Sequence, residues 1–247
     1  MMSAAAQSGR GNGAPLRVLA VCTGNICRSP FVEEQMTASV AESTTPHLEI
    51  ESAGLQAAFE FGRCDELPEA LDLVGNEDRS PTQVEEGLLS DFDLILALTT
   101  DHRADLLKIS PACRSRLFTL IEAANVAHLI VGEGHALDVA LNGPSEVLDE
   151  HDPLRSVPPL PDSPAERLSW LTGEMDAWRG VGNATTDPEV DSLRPKAAEG
   201  EADDLLSVPD PHLSTRNIHP QTAAMINLAV KRLASALDAT VEARIRA

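Results

Sequence analysis

Nine consecutive residues, Cys22-Thr23-Gly24-Asn25-Ile26-Cys27-Arg28-Ser29-Pro30, directly follow the apolar run Leu16 to Val21 and carry the types and spacing for thiolate chemistry on a phosphate group. A cysteine, five residues and then Arg-Ser is what a loop needs to wrap a phosphate while presenting sulfur to phosphorus. Only the thiolate attacks, so such a loop must bring a thiol from its free pKa of about 8.5 into the range of roughly 3.5–7.5 found at helix N-termini and beside cations. Helix polarity supplies part of that shift. Ser29 and Pro30 read as N-cap and first helical residue, with Phe31, Val32 and Met36 forming an apolar side. Successive loop amides can cradle phosphate oxygens. Arg28 adds a planar fork whose paired donors match two phosphate oxygens and favour a crowded trigonal-bipyramidal transition state, which a lysine would do less well. Ser29 Oγ can donate to the Cys22 sulfur, Gly24 allows close backbone approach, and Asn25 tolerates the left-handed conformation a tight anion loop requires.

The elements around this loop alternate strand and helix. Strands are expected at Leu16–Val21, Leu48–Ser52, Asp93–Leu98 and Arg116–Thr119, and helices at Pro30–Val40, Thr82–Leu89, Asp101–Lys108, Ile121–Ile130 and Pro220–Ala243. This pattern predicts an α/β fold: a three-layer open sheet of about four parallel strands with helices on both faces. The cysteine loop then lies at the C-terminal end of the first strand, where open α/β sheets bind ligands. Residues 132–204 interrupt the alternation. They are rich in Pro, Gly, Asp and Glu and read as a long insertion with one amphipathic helix near 164–179, opened by the capping box Ser163-Pro164-Ala165-Glu166. Leu168, Leu171, Met175 and Trp178 recur there at helical spacing. That stripe is expected to pack on the catalytic domain; a partner-binding face is the alternative.

The chain has 247 residues and a formal net charge of −20, from 39 Asp plus Glu against 19 Lys plus Arg, which argues against nucleic-acid binding. Residues 1–14 form an Ala/Ser/Gly/Asn-rich tail, expected to be disordered, without the apolar core of a secretion signal. No run approaches the roughly 20 apolar residues of a membrane span, so a cytoplasmic protein without membrane contact is expected. Four cysteines do not make a disulfide scaffold in a chain of this size. Cys22 and Cys27 lack the second close pair of a structural zinc site, so no metal is expected. Cys64 and Cys113 read as bystanders, and His102, His128, His135 and His151 as scattered surface or core residues.

Val21 to Pro30 resembles, without mismatch, the signature of the low-molecular-weight protein tyrosine phosphatases, and three further segments match in order. Glu51-Ser52-Ala53-Gly54 resembles the family's Ser-Ala-Gly element, Asp91 to Leu98 its third strand, and Val208-Pro209-Asp210-Pro211 its Asp-Pro general-acid motif. The resemblance implies a phosphatase domain in residues 15–131 and 205–247. It implies hydrolysis of phosphotyrosine in proteins through a cysteinyl-phosphate intermediate, without a cofactor. Cys22 is then the nucleophile, Arg28 the phosphate clamp and Asp210 the acid. Thr23, Gly24, Asn25, Ile26, Cys27 and Ser29 form the substrate loop, and Ser52 braces Asn25. Phe59 or Phe61 is implied as one pocket wall. His212 stands where family members often carry a ring-stacking tyrosine, which this chain lacks altogether. A histidine that supports the loop in many members has no evident match, and Asn76 to Arg79 occupies about its position. Cys27 is implied either as a redox partner of Cys22 or as a buried loop filler. The partner implied is a phosphotyrosine protein, for which a bacterial tyrosine kinase is a candidate.

Three other readings share parts of this pattern. Thioredoxin-linked arsenate reductases of the same fold use a further downstream cysteine pair, for which only Cys113 is available here. Protein arginine phosphatases resemble the motif with threonine at the position of Ile26; the bulkier apolar residue suits an aromatic phosphoester. A phosphoprotein-binding module without turnover would use the same loop, but would not need Cys22, Arg28 and Asp210 together.

Overall fold

Leu16–Cys22 (β1) is apolar at almost every position because both of its faces are covered, the signature of a central parallel strand. In the computed structural model it pairs in parallel with Leu48–Gly54 (β2) on one side and Leu94–Ala97 (β3) on the other, and β3 pairs with Leu117–Thr119 (β4). The sheet order is β2-β1-β3-β4, all parallel. The structure describes residues 15–41, 48–73, 80–132, 135–180, 188–195 and 204–244. The expected tail and Asn76 to Arg79 lie outside them.

Alternation along the strands divides the core. Val18, Ala20, Cys22, Leu94, Leu96 and Phe118 point to one face. That face is covered by Arg28–Ala41 (α1), Leu120–Val131 (α5), Pro164–Ala177 (α7) and His219–Glu242 (α9). Leu19, Val21, Ile95, Ala97 and Leu117 point to the other, where they meet residues of Glu86–Ser90 (α3) and Thr100–Ile109 (α4), with Phe92 and Cys113. Short helices at Glu66–Glu69 (α2), Ala136–Asn142 (α6) and Pro188–Leu193 (α8) complete the described α-helices. The three-layer α/β expectation therefore stands. Among the described residues no helix is long and apolar enough to cross a membrane.

Caps explain where two of the main helices begin. Thr119 closes β4 and opens α5 through a reciprocal capping box with Glu122. Thr99 accepts from the His102 amide at 3.0 Å and opens α4 at the tip of β3. Two expectations need correction. The helix read at Thr82–Leu89 is only α3, because Thr82 to Val84 is extended and bonds the end of β2: Gly54 N donates to Thr82 O and Val84 N to Gly54 O, both at 2.8 Å. Helix α1 begins at Arg28, so Ser29 is not an N-cap; its hydroxyl is used inside the loop.

Within residues 132–204, Ser163 caps α7 as its sequence suggested. Leu168, Leu171, Met175 and Trp178 are buried in the larger core cluster. Arg167 donates to Val241 O and Ala243 O, both at 2.8 Å, tying α7 to the carbonyl-rich end of α9. The stripe is thus packing surface rather than an open partner face.

Candidate active site

The segment from Cys22 to Arg28 runs from the tip of β1 into α1, and its backbone is turned inside out relative to a strand. Leu55 N donates to Cys22 O at 3.0 Å, Gln56 N to Thr23 O at 2.9 Å, Ala58 N to Gly24 O at 3.0 Å and Cys64 N to Ile26 O at 2.8 Å. The carbonyls are held on the outside by residues 55–64. Among the described residues, the amides of Thr23 to Cys27 donate to no partner. A row of N–H groups turned away from their own carbonyls is an anion-binding concavity. Asn25 takes φ +56°, the left-handed turn that this wrapping needs. Gly54 shows how tightly β2 supports it: a Cβ there would lie 2.7 Å from Thr23 O and 2.9 Å from Asn25 N, so only glycine fits.

Polar side chains beneath the loop form one network. Asn25 Nδ2 donates to Ser52 Oγ at 2.7 Å and Ser29 Oγ at 3.1 Å, and Asn25 Oδ1 accepts from Thr82 N at 2.8 Å. Ser29 Oγ lies 3.0 Å from Cys22 Sγ and 3.2 Å from Ala53 O. Its single proton has two acceptors, and a thiolate is the stronger one. Ser52, Ser29 and Asn25 are buried, which leaves this network no competing water.

Arg28 is buried beneath the loop and reaches residues far along the chain. Nη1 donates to Val208 O at 3.1 Å and Nη2 to Asp210 Oδ2 at 2.5 Å. The strap carrying Asp210 is itself docked on the sheet, where Val208 N donates to Leu98 O at 2.8 Å and Thr100 N to Ser207 Oγ at 2.9 Å. Asp204 anchors its start. Burial raises that carboxyl's pKa, but hydrogen bonds from Ser207, Thr100 and the Leu206 amide outweigh burial and leave it below the usual value. Arg194, just beyond α8, donates to Asp204 O, Leu205 O and Ser207 O at 2.9, 2.7 and 2.7 Å. His212 N donates to Asp210 Oδ1 at 3.0 Å.

Residues 17–133 match the family described as low molecular weight phosphotyrosine protein phosphatase. The PtpB low molecular weight protein-tyrosine-phosphatase of Staphylococcus epidermidis is 31% identical over 55% of this chain and 88% of its own length. The chain belongs to the low-molecular-weight phosphotyrosine protein phosphatase family. A Streptomyces coelicolor low molecular weight protein-tyrosine-phosphatase is 37% identical over 40% of this chain, and the match spans 62% of that relative. A Bacillus subtilis protein-arginine-phosphatase is 32% identical over 45% of this chain and 74% of its own length.

The expected site residues of this low-molecular-weight phosphatase chain are distributed as follows. Cys22, Ser29, Asn25 and Ser52 share the buried network, and Arg28 and Asp210 touch across 182 positions. Phe59 and Phe61 are both exposed. Phe61 shares a surface depression with the loop, alongside Asn25, Ile26, Pro30, Arg63 and Pro81. A larger groove between α8 and α9, lined by residues such as Leu193, Arg216 and Gln221, holds none of the loop residues.

Two residues set aside from the sequence belong to the site's surroundings. His102 Nε2 lies 2.9 Å from Thr23 Oγ1. Burial, then the charge of Arg28, lowers its pKa to about 4, so it contacts the loop as a neutral ring. The Thr99 cap places it there. Cys64 is no bystander either, since Cys27 Sγ donates to Cys64 Sγ at 3.1 Å. The hydrogen bond to Cys64, together with burial, pushes the Cys27 thiol up. The bond from Cys27 brings Cys64 down to about 5 against the opposing effect of burial, assisted by the Glu66 amide and His212. Cys27, implied either as a redox partner of Cys22 or as a loop filler, is buried and has Cys64 as a sulfur partner.

Proposed function

We propose that the chain is a phosphatase that hydrolyses phosphotyrosine in proteins, with Cys22 as nucleophile, Arg28 as phosphate clamp and Asp210 as general acid and base. The observation that carries this reading is the Arg28 to Asp210 contact, which sets a carboxyl group beside a cysteine loop of outward-held carbonyls. In the first step the Cys22 sulfur attacks phosphorus in line as the bond to the phenolic oxygen breaks, and the Asp210 carboxyl proton passes to that oxygen. In the second, Asp210 takes a proton from water, the water oxygen attacks phosphorus, and the S–P bond breaks to return the thiolate and phosphate. Asp210 and a phosphate group compete for the same guanidinium nitrogen. Substrate entry therefore frees the carboxyl from Arg28 and turns it toward the leaving group.

Thr23, Gly24, Asn25, Ile26, Cys27 and Ser29 line the phosphate subsite in this reading. Phe61 is the ring wall favoured by its place beside Ile26, with Phe59 as the other candidate and His212 as the strap residue that the family resemblance implies for the pocket. The substrate is a cytoplasmic phosphotyrosine protein, with a bacterial tyrosine kinase as the partner the family resemblance favours.

Arginine dephosphorylation is the second reading, favoured by the Bacillus relative. Ile26 opposes it, because an apolar branched side chain beside the loop suits an aromatic ring better than a guanidinium. Side-by-side hydrolysis of phosphotyrosine, phosphoserine and phosphoarginine peptides tests both. A preference for phosphotyrosine supports the first reading. A preference for phosphoarginine replaces it with the second, and no turnover on any of them removes both.

A further inference from the structure

Four side chains from three distant stretches of the sequence meet at the cysteine loop. Cys27 comes from the loop, Cys64 from the segment before α2, His212 from the strap two residues past Asp210, and His219 from the first turn of α9. One donor atom from each lies within 4.8 Å of every other. Cys27, Cys64 and His219 are buried and His212 is exposed. The two imidazoles meet edge to face with centroids 5.1 Å apart.

The hydrogen bonding of His219 singles this cluster out. Its Nδ1 lies 2.9 Å from a Glu66 carboxylate oxygen and 3.0 Å from Asn217 Oδ1. Its Nε2 is buried without any partner, on a residue only 7% exposed. A buried imidazole nitrogen without a hydrogen bond costs free energy. A carboxylate on Nδ1 fixes the tautomer that leaves the Nε2 lone pair available, the arrangement by which metal-bound histidines are oriented. Two sulfurs and two imidazoles form a soft, closed, four-donor set that suits tetrahedral Zn2+ rather than a hard cation. The sulfurs, 3.1 Å apart, would separate to about 3.8 Å around an ion bound at about 2.3 Å.

We propose that Cys27, Cys64, His212 and His219 form a structural Zn2+ site that fastens the strap bearing Asp210 to the cysteine loop. Binding displaces the Cys27 thiol proton to solvent and replaces the S–H···S contact with two Zn–S bonds, with no change of oxidation state. The ion ties residue 27 of the anion loop to residue 212 of the strap and to α9, three pieces of chain otherwise joined here by side-chain contacts. The site departs from the sequence expectation of no metal, which weighed the Cys22–Cys27 pair, took Cys64 for a bystander and did not bring in His212 or His219.

The test uses the full chain in the Cys22→Ser background, so that the candidate nucleophile cannot supply a ligand, under a reductant without thiols. One equivalent of Zn2+ should survive gel filtration. Titration with Co2+ alone should give thiolate-to-metal charge-transfer absorption and the intense ligand-field bands of a tetrahedral ion. Cys64→Ser should abolish both bands. His212→Asn, a change at an exposed position, should keep a charge-transfer band but weaken Co2+ binding at least tenfold. Absence of Zn2+ uptake, a six-coordinate Co2+ spectrum, or equal Co2+ affinity in all three proteins would overturn the site. None of these readouts uses phosphatase activity, so they stand or fall apart from the proposed reaction.

Discussion

At the scale of single residues, the proposed acid and the buried histidine make different predictions. Asp210 in the acid role protonates the leaving oxygen, a contribution worth roughly 10²- to 10⁴-fold. Asp210→Asn should therefore lower kcat on phosphotyrosine by about that range and on para-nitrophenyl phosphate much less, because a good leaving group needs little help. Equal losses on the two substrates would remove Asp210 from the role. His102 predicts a pH effect on stability. Its folded pKa of about 4 lies below the unfolded value of about 6.5, so between these limits the unfolded chain binds the extra proton. Stability should fall as pH drops from about 6.5 to 4, and His102→Gln should flatten that slope by up to one proton. Urea unfolding at intervals across this window measures it; an unchanged slope would mean that His102 titrates normally in the folded chain. The cysteine loop was legible as a strand-to-helix turn because its residues are consecutive in the sequence. His102 was not, because its contact with Thr23 spans 79 positions and depends on how α4 is capped.

At the scale of elements, the strands were read almost to the residue. Parallel strands covered on both faces leave uninterrupted apolar runs, and β1, β3 and β4 show them. The segment after Pro81 was misread because Thr82 to Val84 satisfies its backbone against Gly54, a pairing that leaves no periodic mark in the sequence. Helices α6 and α8 were missed inside a stretch whose proline and glycine content suggested loop apart from the one helix near 164–179. Helix α8 matters for the site through Arg194 beyond its end, whose guanidinium gathers three carbonyls of the strap. Hydrogen bonds from a charged donor contribute about 1.5–3 kcal/mol each, though one side chain making three does not add them in full. Arg194→Ala should leave the sheet intact but loosen residues 204–210. Amide exchange there should rise, and kcat/KM on phosphotyrosine should fall about tenfold with little change in Tm. A Tm lowered as strongly as by a core truncation would mean that Arg194 holds the fold rather than the strap.

At the scale of the whole molecule, two features were out of reach of local pattern. The sulfur and imidazole cluster draws on positions 27, 64, 212 and 219, spacings that match no short metal motif until the cysteine loop, the segment before α2, the strap and α9 are folded together. The net charge of −20 was plain from composition, but its bearing on the site follows from the burial of Arg28. Under the proposed function, an anionic phosphopeptide would approach through a repulsive field and be captured only at contact range, by a buried guanidinium and loop amides. Salt acts unequally on these two stages. The Debye length shrinks from about 30 Å at 0.01 M to about 8 Å at 0.15 M ionic strength, which removes the long-range repulsion while screening buried contacts much less. Raising salt across that interval should therefore increase kcat/KM for an acidic phosphotyrosine peptide several-fold, through faster association. A peptide of equal length with basic flanking residues should respond in the opposite direction, since the same field attracts it. Parallel declines for both peptides would show that screening at the phosphate subsite outweighs the field, and that capture begins at Arg28 rather than at a distance.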